Sequence, residues 1–231
     1  MSILDIIIII FIALGFLAGF KRGIIKQGVI TVGTTLVVVL AFLLKNPLSL
    51  VLYKHLPFFT VGILGNFSSL NILLYELISF FILFSIFSLI FAIVVKVSGL
   101  LERLVRATVI LALPSKILGG ILGLIEMYVV AWIILFIISM PVFSISSSKF
   151  ITESKLKDKI LNNTLIISHI NKDLINSIDD VNELLERKDE FGEKLFNCKA
   201  INIFKKNNII TEESIEYLKE NNKIDKDCKI E

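Results

Sequence analysis

Three carboxylates interrupt the apolar runs of this chain. Asp5 lies in ILDIIIIIFIALGFLAGF (residues 3–20), Glu76 stands just ahead of LISFFILFSIFSLIFAIVV (77–95), and Glu126 lies within ILGGILGLIEMYVVAWIILFIISM (117–140). A charge at bilayer depth costs at least about 2.5 kcal/mol, so each must meet water, a partner or a proton. Two readings follow. Glu76 and Glu126 share a hydrated intramembrane site able to pass protons or a solute, or each carboxylate sits at an interface because its span starts a little later. Antiparallel helices would bring Glu76 and Glu126 within roughly 10 Å in depth at ~1.5 Å per residue. The spans drawn from the sequence contain no Lys or Arg, so no internal counter-ion is expected.

Other chemistry has little to work with. His55 and His169 are far apart in sequence, and there is no HExxH, CxxC, GxSxG or phosphate-binding Gly-Lys-Ser/Thr loop. No catalytic residue, cofactor or metal is therefore expected. Cys198 and Cys228 form one bridge if the tail is extracytoplasmic, where a loop of this length would add roughly 3 to 4 kcal/mol, or they are two reduced thiols. Gly15, Gly19 and Gly23 recur every four residues, as do Gly119 and Gly123. On a helix each set forms a groove that admits a second backbone, either within the chain or across a homo-oligomer or partner seam.

The elements that carry these residues follow from hydropathy. Of 231 residues 55% are hydrophobic and mean hydropathy is +0.82, which excludes a wholly soluble chain. Charge is divided unevenly: residues 1–148 hold 9 basic and 4 acidic side chains, and residues 149–231 hold 15 and 17. Such a break marks two solvents. The expected architecture is all-α. A polytopic membrane domain (residues 1–145) has four transmembrane helices at about 3–20, 29–44, 70–95 and 117–140, followed by a soluble helical C-terminal tail (146–231). An 18-residue helix of about 27 Å can cross the hydrocarbon layer. The second span ends where Lys45-Asn46-Pro47 discourages further helix, leaving 48–70 as an interfacial loop. Between Lys96 and Lys116, Arg103 and Arg106 stand three apart among leucines, as in an amphipathic surface helix. The first helix has no preceding positive charge and reads as uncleaved.

Basic residues in short loops mark the cytoplasmic side. Lys21, Arg22 and Lys26 in the first loop and Lys96, Arg103, Arg106 and Lys116 in the third outnumber Lys45 and Lys54 in the second. Both termini are thus expected outside. Lys21 and Arg22 also suit anionic head groups, although anchoring the topology explains them as well.

In the tail, Leu174, Ile178, Val181 and Leu185 step by four, three and four, the spacing of an amphipathic helix. Thr211 followed by Glu212 and Glu213 caps the start of a second one. The tail's near-neutral charge gives no support for nucleic-acid binding, and no nucleic-acid partner is expected.

Leu4-Asp5 opening an apolar helix, Gly15, Gly19, the FKRG turn (20–23), LISFFILFSIFSLIFAIV and LGGILGLIE (118–126) together resemble the colicin V production protein (CvpA) family of bacterial inner-membrane proteins. The similarity covers about residues 1–145. Where that family usually has a basic residue and glycine, this chain has Glu126-Met127, and Ser115-Lys116 replace an Asp-Arg-like pair. The resemblance implies a multi-pass protein of the bacterial cytoplasmic membrane, linked to toxin production or export or to envelope homeostasis. A non-enzymatic accessory or scaffold role is expected, with the lipid bilayer and a homo-oligomer or membrane export protein as partners. A small transporter or channel using Glu76 and Glu126 is the alternative.

Overall fold

The computed structural model describes residues 2–60, 63–97, 112–140, 142, 153–162 and 172–228, and the described regular structure is helical. In order it comprises α1 (Ile3–Arg22), α2 (Ile24–His55), α3 (Ile63–Asn66), α4 (Ser68–Val97), α5 (Ala112–Ile138), α6 (Lys155–Asn162), α7 (Lys172–Glu186), α8 (Lys188–Lys206) and α9 (Glu212–Glu220). Helices α1, α2, α4 and α5 are long and apolar enough to cross a membrane, with stretches whose mean hydropathy is 2.2 to 2.9. Large side chains along them, such as Leu14, Val32, Leu36, Leu89 and Val94, are exposed, as befits a surface whose solvent is lipid.

All four helices are longer than their sequence-drawn spans, α2 most of all, and α5 starts at Ala112 and ends at Ile138 instead of running from 117 to 140. Helix α2 does not stop at Leu44: it runs through Pro47 to His55, so the expected loop from 48 begins with two further turns of helix. Proline removes one amide and crowds the carbonyl four residues back, which discourages a helix but does not forbid one held by packing. Helix α4 likewise starts at Ser68. At 30 and 32 residues, α4 and α2 exceed the roughly 20 that a bilayer needs, leaving turns free to pack against other segments. The amphipathic segment expected around Arg103 and Arg106 lies outside the described residues.

The chain forms two compact units, and they do not follow the composition break. The first takes Met1–Phe42, Phe84–Ile137 and Ser147–Asn163; the second takes Leu43–Leu83, Ile138–Ser146 and Thr164–Glu231. Both long helices thus contribute to both units. The division in α2 falls at Phe42/Leu43, and Leu43 bears the carbonyl that Pro47 cannot pair.

In the first unit α1 and α5 run antiparallel in backbone contact. A Cβ on Gly15 would lie 2.6 Å from the Gly123 carbonyl oxygen, and one on Gly119 would lie 2.5 Å from that of Gly19. Gly23, at φ 75°, turns the chain from α1 into α2 with no connecting residue besides itself. In the second unit the first three turns of α4 are buried from Ser69 to Ser79, and its core includes Tyr53, Phe67, Leu70, Ile72 and Tyr75. From the tail it takes Ile178, Val181, Phe196, Ile201, Phe204, Ile215 and Leu218. The tail helices therefore bury their apolar stripes against the polar-ended turns of α2 and α4 as well as on each other.

Candidate functional site

The second unit is organised around Glu76. Its side chain is buried, and Lys45, Ser49 and Tyr53, spaced at i, i+4 and i+8 along one face of α2, converge on it. Lys45 Nζ lies 2.6 Å from Glu76 Oε2, while Ser49 Oγ (2.5 Å) and Tyr53 Oη (2.8 Å) donate to Oε1. Lys45 also donates to Asn46 Oδ1 at 2.7 Å and to the Ile209 carbonyl at 2.8 Å. Both ionised groups are thereby neutralised and hydrogen-bonded, the conditions under which a buried pair survives. This corrects the expectation that no basic residue lies within a span: once α2 passes through Pro47, Lys45 is a helix-interior residue. Glu76, expected at an interface or in a hydrated site, is buried and paired within the protein.

The tail supplies the roof. Helices α8 and α9 each end on paired asparagines, and the second of each pair, Asn208 (φ 55°) and Asn222 (φ 54°), takes the left-handed conformation that reverses the chain. The next amides close the turns, Ile209 N–H donating to the Phe204 carbonyl (2.8 Å) and Lys223 N–H to that of Leu218 (2.9 Å). Those two turns deliver the docking groups. Ile209 turns its carbonyl to Lys45, and Lys223 Nζ donates to the carbonyls of Tyr53 and Leu56 (3.0 Å for the latter) at the C-terminal end of α2, where the helix dipole favours a cation. Burial pushes the Lys223 ammonium below its ordinary pKa. Asn197 accepts from the Ser69 amide (3.0 Å) and hydroxyl (2.8 Å) near the start of α4, and Phe196 packs on Phe67 with ring centroids 4.3 Å apart. Cys198 in α8 is disulfide-bonded to Cys228, 30 residues on.

Glu126 belongs to the first unit and has its own partners. Gln27, on α2, donates from Nε2 to Glu126 Oε2 and accepts from Arg22 Nη1 at 3.2 Å, so an amide links the carboxylate to a guanidinium; Thr31 Oγ1 lies 3.3 Å from the same oxygen. Nearby, Ser115 Oγ accepts from the Ile24 amide at 3.3 Å and caps α2. Lys21, Arg22 and Lys116 are exposed and Lys26 is half-buried, whereas Arg103 and Arg106 lie outside the described residues.

Asp5 is buried and structural. It forms a reciprocal cap with Ser2 at the start of α1 and accepts from Ser154 Oγ (2.6 Å) and the Leu156 amide (3.2 Å), thereby joining the N-termini of α1 and α6. Sequence reasoning named the three acids but missed Lys45, Ser49, Tyr53, Gln27 and Ser154. The i, i+4, i+8 stripe on α2 was the available signal. Among the described residues no three His, Cys, Asp or Glu side chains cluster as a metal site would require.

The architecture of four apolar helices with a glycine seam between the first and last agrees with a match to the family model described as colicin V production protein, over residues 4–165. The chain belongs to the colicin V production protein family. A similar protein is the uncharacterized transmembrane protein YshB of Bacillus subtilis (strain 168), 29% identical over 176 residues that cover 74% of this chain and 96% of that protein. No solved structure matches. The chain is thus a multi-pass membrane protein related to colicin V production. Within this colicin V production family member, the family match includes Lys45, Ser49, Tyr53 and Glu76 but stops before α7. The roof over the ion pair is built from residues beyond it.

Proposed function

We propose that this protein is a non-enzymatic accessory or scaffold protein of the bacterial cytoplasmic membrane. It acts in toxin production or export or in envelope homeostasis, with its termini on the outer side. The observation that carries this reading is the closed state of Glu76. Both oxygens are engaged by Lys45, Ser49 and Tyr53, and a tail carbonyl accepts from the same lysine. A carboxylate that carries protons or solute needs an oxygen open to water; this one binds helices and tail together. The loop count of basic residues supports the outward orientation, and the Cys198–Cys228 bridge, stable in oxidising compartments, supports it independently.

The test replaces Glu76 and Glu126 with Gln. In proteoliposomes the wild-type protein is expected to carry no proton or solute flux above protein-free vesicles. Partner recovery on pull-down from membranes is expected to fall in the variant, because the docked tail loosens. A wild-type flux abolished in the double variant would overturn the scaffold reading. For sidedness, an impermeant reductant followed by an impermeant maleimide is expected to label Cys198 and Cys228 in intact cells; labelling only after lysis would reverse the orientation.

A further inference from the structure

Three tail groups at the Glu76 pair and the end of α2 lie inside one covalent ring. The Ile209 carbonyl on Lys45, the Lys223 ammonium on the end of α2, and the Tyr217 ring beneath Lys54 Nζ (5.4 Å) all fall between Cys198 and Cys228. The two ends of this ring are unequal. Cys198 sits in α8, anchored by buried Phe196, Ala200 and Ile201, whereas Cys228 follows only a short turn after α9. Besides the bridge, that end is held by buried Ile224, by Lys223 on the Tyr53 and Leu56 carbonyls, by the exposed Lys194, 2.8 Å from Asp225 and 3.3 Å from Asp227, and by Lys219 Nζ donating to the Cys228 carbonyl at 2.8 Å. Exposed ion pairs contribute little. The bridge is the covalent fastening of this end.

We propose that residues 198–228 form a redox-latched lid on the Lys45–Glu76 pair, shut by the disulfide and released when it is reduced. The reductant is a dithiol. Its thiolate attacks the sulfur of Cys198, the less buried residue of the two, forming a mixed disulfide and expelling the sulfur of Cys228 as a thiolate that takes up a proton. The second thiol of the dithiol then displaces Cys198, so the dithiol ends as a disulfide and the two electrons reside on two thiols. With its C-terminal fastening gone, the Ile209 turn lifts and water reaches the ammonium. The inference holds whichever face of the membrane the tail occupies and does not depend on the scaffold role.

The experiment uses the full-length protein in nanodiscs of phosphatidylethanolamine and phosphatidylglycerol. A water-soluble acetylating ester is added, and peptide mass spectrometry compares acetylation of Lys45 with that of exposed Lys21. In the oxidised protein Lys45 is expected to react at least tenfold more slowly than Lys21. Reduction with a water-soluble phosphine, or C198S/C228S, is expected to remove most of that protection, and reoxidation with diamide to restore it. Equal protection of Lys45 before and after reduction would overturn the proposal. So would a loss of helicity throughout the chain on reduction, because the bond would then be holding the fold and not a lid.

Discussion

Lys45 Nζ and Glu76 Oε2 meet at 2.6 Å although 31 residues separate them, and both side chains are buried. Neither charge is tolerable alone at this depth, so each fixes the other's helix. The pair therefore sets the register of α2 against α4, and the Ile209 carbonyl extends that constraint to the tail.

Removing one partner is expected to cost more than removing both. Lys45→Met or Glu76→Leu alone leaves an uncompensated buried charge, for a loss of about 3 to 5 kcal/mol. The double variant is expected to recover at least half of that, as read by unfolding midpoints in detergent micelles. Additive losses would show that the pair is not coupled.

The antiparallel seam predicts a graded glycine series. Gly119→Ala drives a methyl group into the Gly19 carbonyl and is expected to destabilise by about 1 to 3 kcal/mol, with Gly119→Leu preventing close packing of α1 on α5. Gly28→Ala meets only Leu122 Cδ1 at 4.0 Å and is expected to be neutral or to stabilise by up to about 1 kcal/mol through helix propensity. Thermal denaturation of the set distinguishes seam from surface.

The two asparagine turns make a conformational prediction. Asn208→Gly is expected to keep the left-handed turn that aims the Ile209 carbonyl, whereas Asn208→Val is expected to cost roughly 1 to 2 kcal/mol and loosen the tail. Protease sensitivity after α8 reports the difference.

The end of the tail carries a pH signature. The hydrogen bond from Lys194 holds the Asp225 carboxyl below its ordinary 3.8, and the hydrogen bonds that Lys194 donates to Asp225 and then Asp227 raise it above 10.5. Asp225 therefore contributes stability present above pH 3.8 and lost as pH falls through its lower folded value. Lys194 contributes fully below pH 10.5 and loses its share as pH rises through its higher folded value. Reduction of the Cys198–Cys228 bridge is expected to be slowest relative to thiolate supply between those limits. Asp225→Asn should flatten the acid limb, and an unchanged profile would remove this pair from the fastening.

The membrane part was legible because lipid imposes a simple rule: long apolar runs become helices, and the runs beginning at Ile3, Val29, Leu77 and Ile117 all did so. The tail helix marked by Ile178, Val181 and Leu185 was legible from its period, and the cap of α9 from Thr211, which accepts from Ser214 N–H at 3.3 Å. The ion pair was not. Treating Pro47 as a terminus put Lys45 outside the span, since local propensity says nothing of the packing that carries α2 onward. One partner of Lys45 is the Ile209 backbone carbonyl, which any residue at that position would offer. Ser154 was hidden for a related reason: capping Asp5 across 149 residues leaves no local pattern.

Tail helices and the turns of α2 and α4 nearest them form one packed unit around Glu76. This packing is tested most directly by inserting a protease site between α6 and α7, cutting the purified protein in mild detergent, and passing it through gel filtration. The fragment carrying α7–α9 is expected to co-elute with the membrane fragment, and to separate from it when Glu76→Ala is introduced. A wild-type fragment that elutes alone would contradict the account.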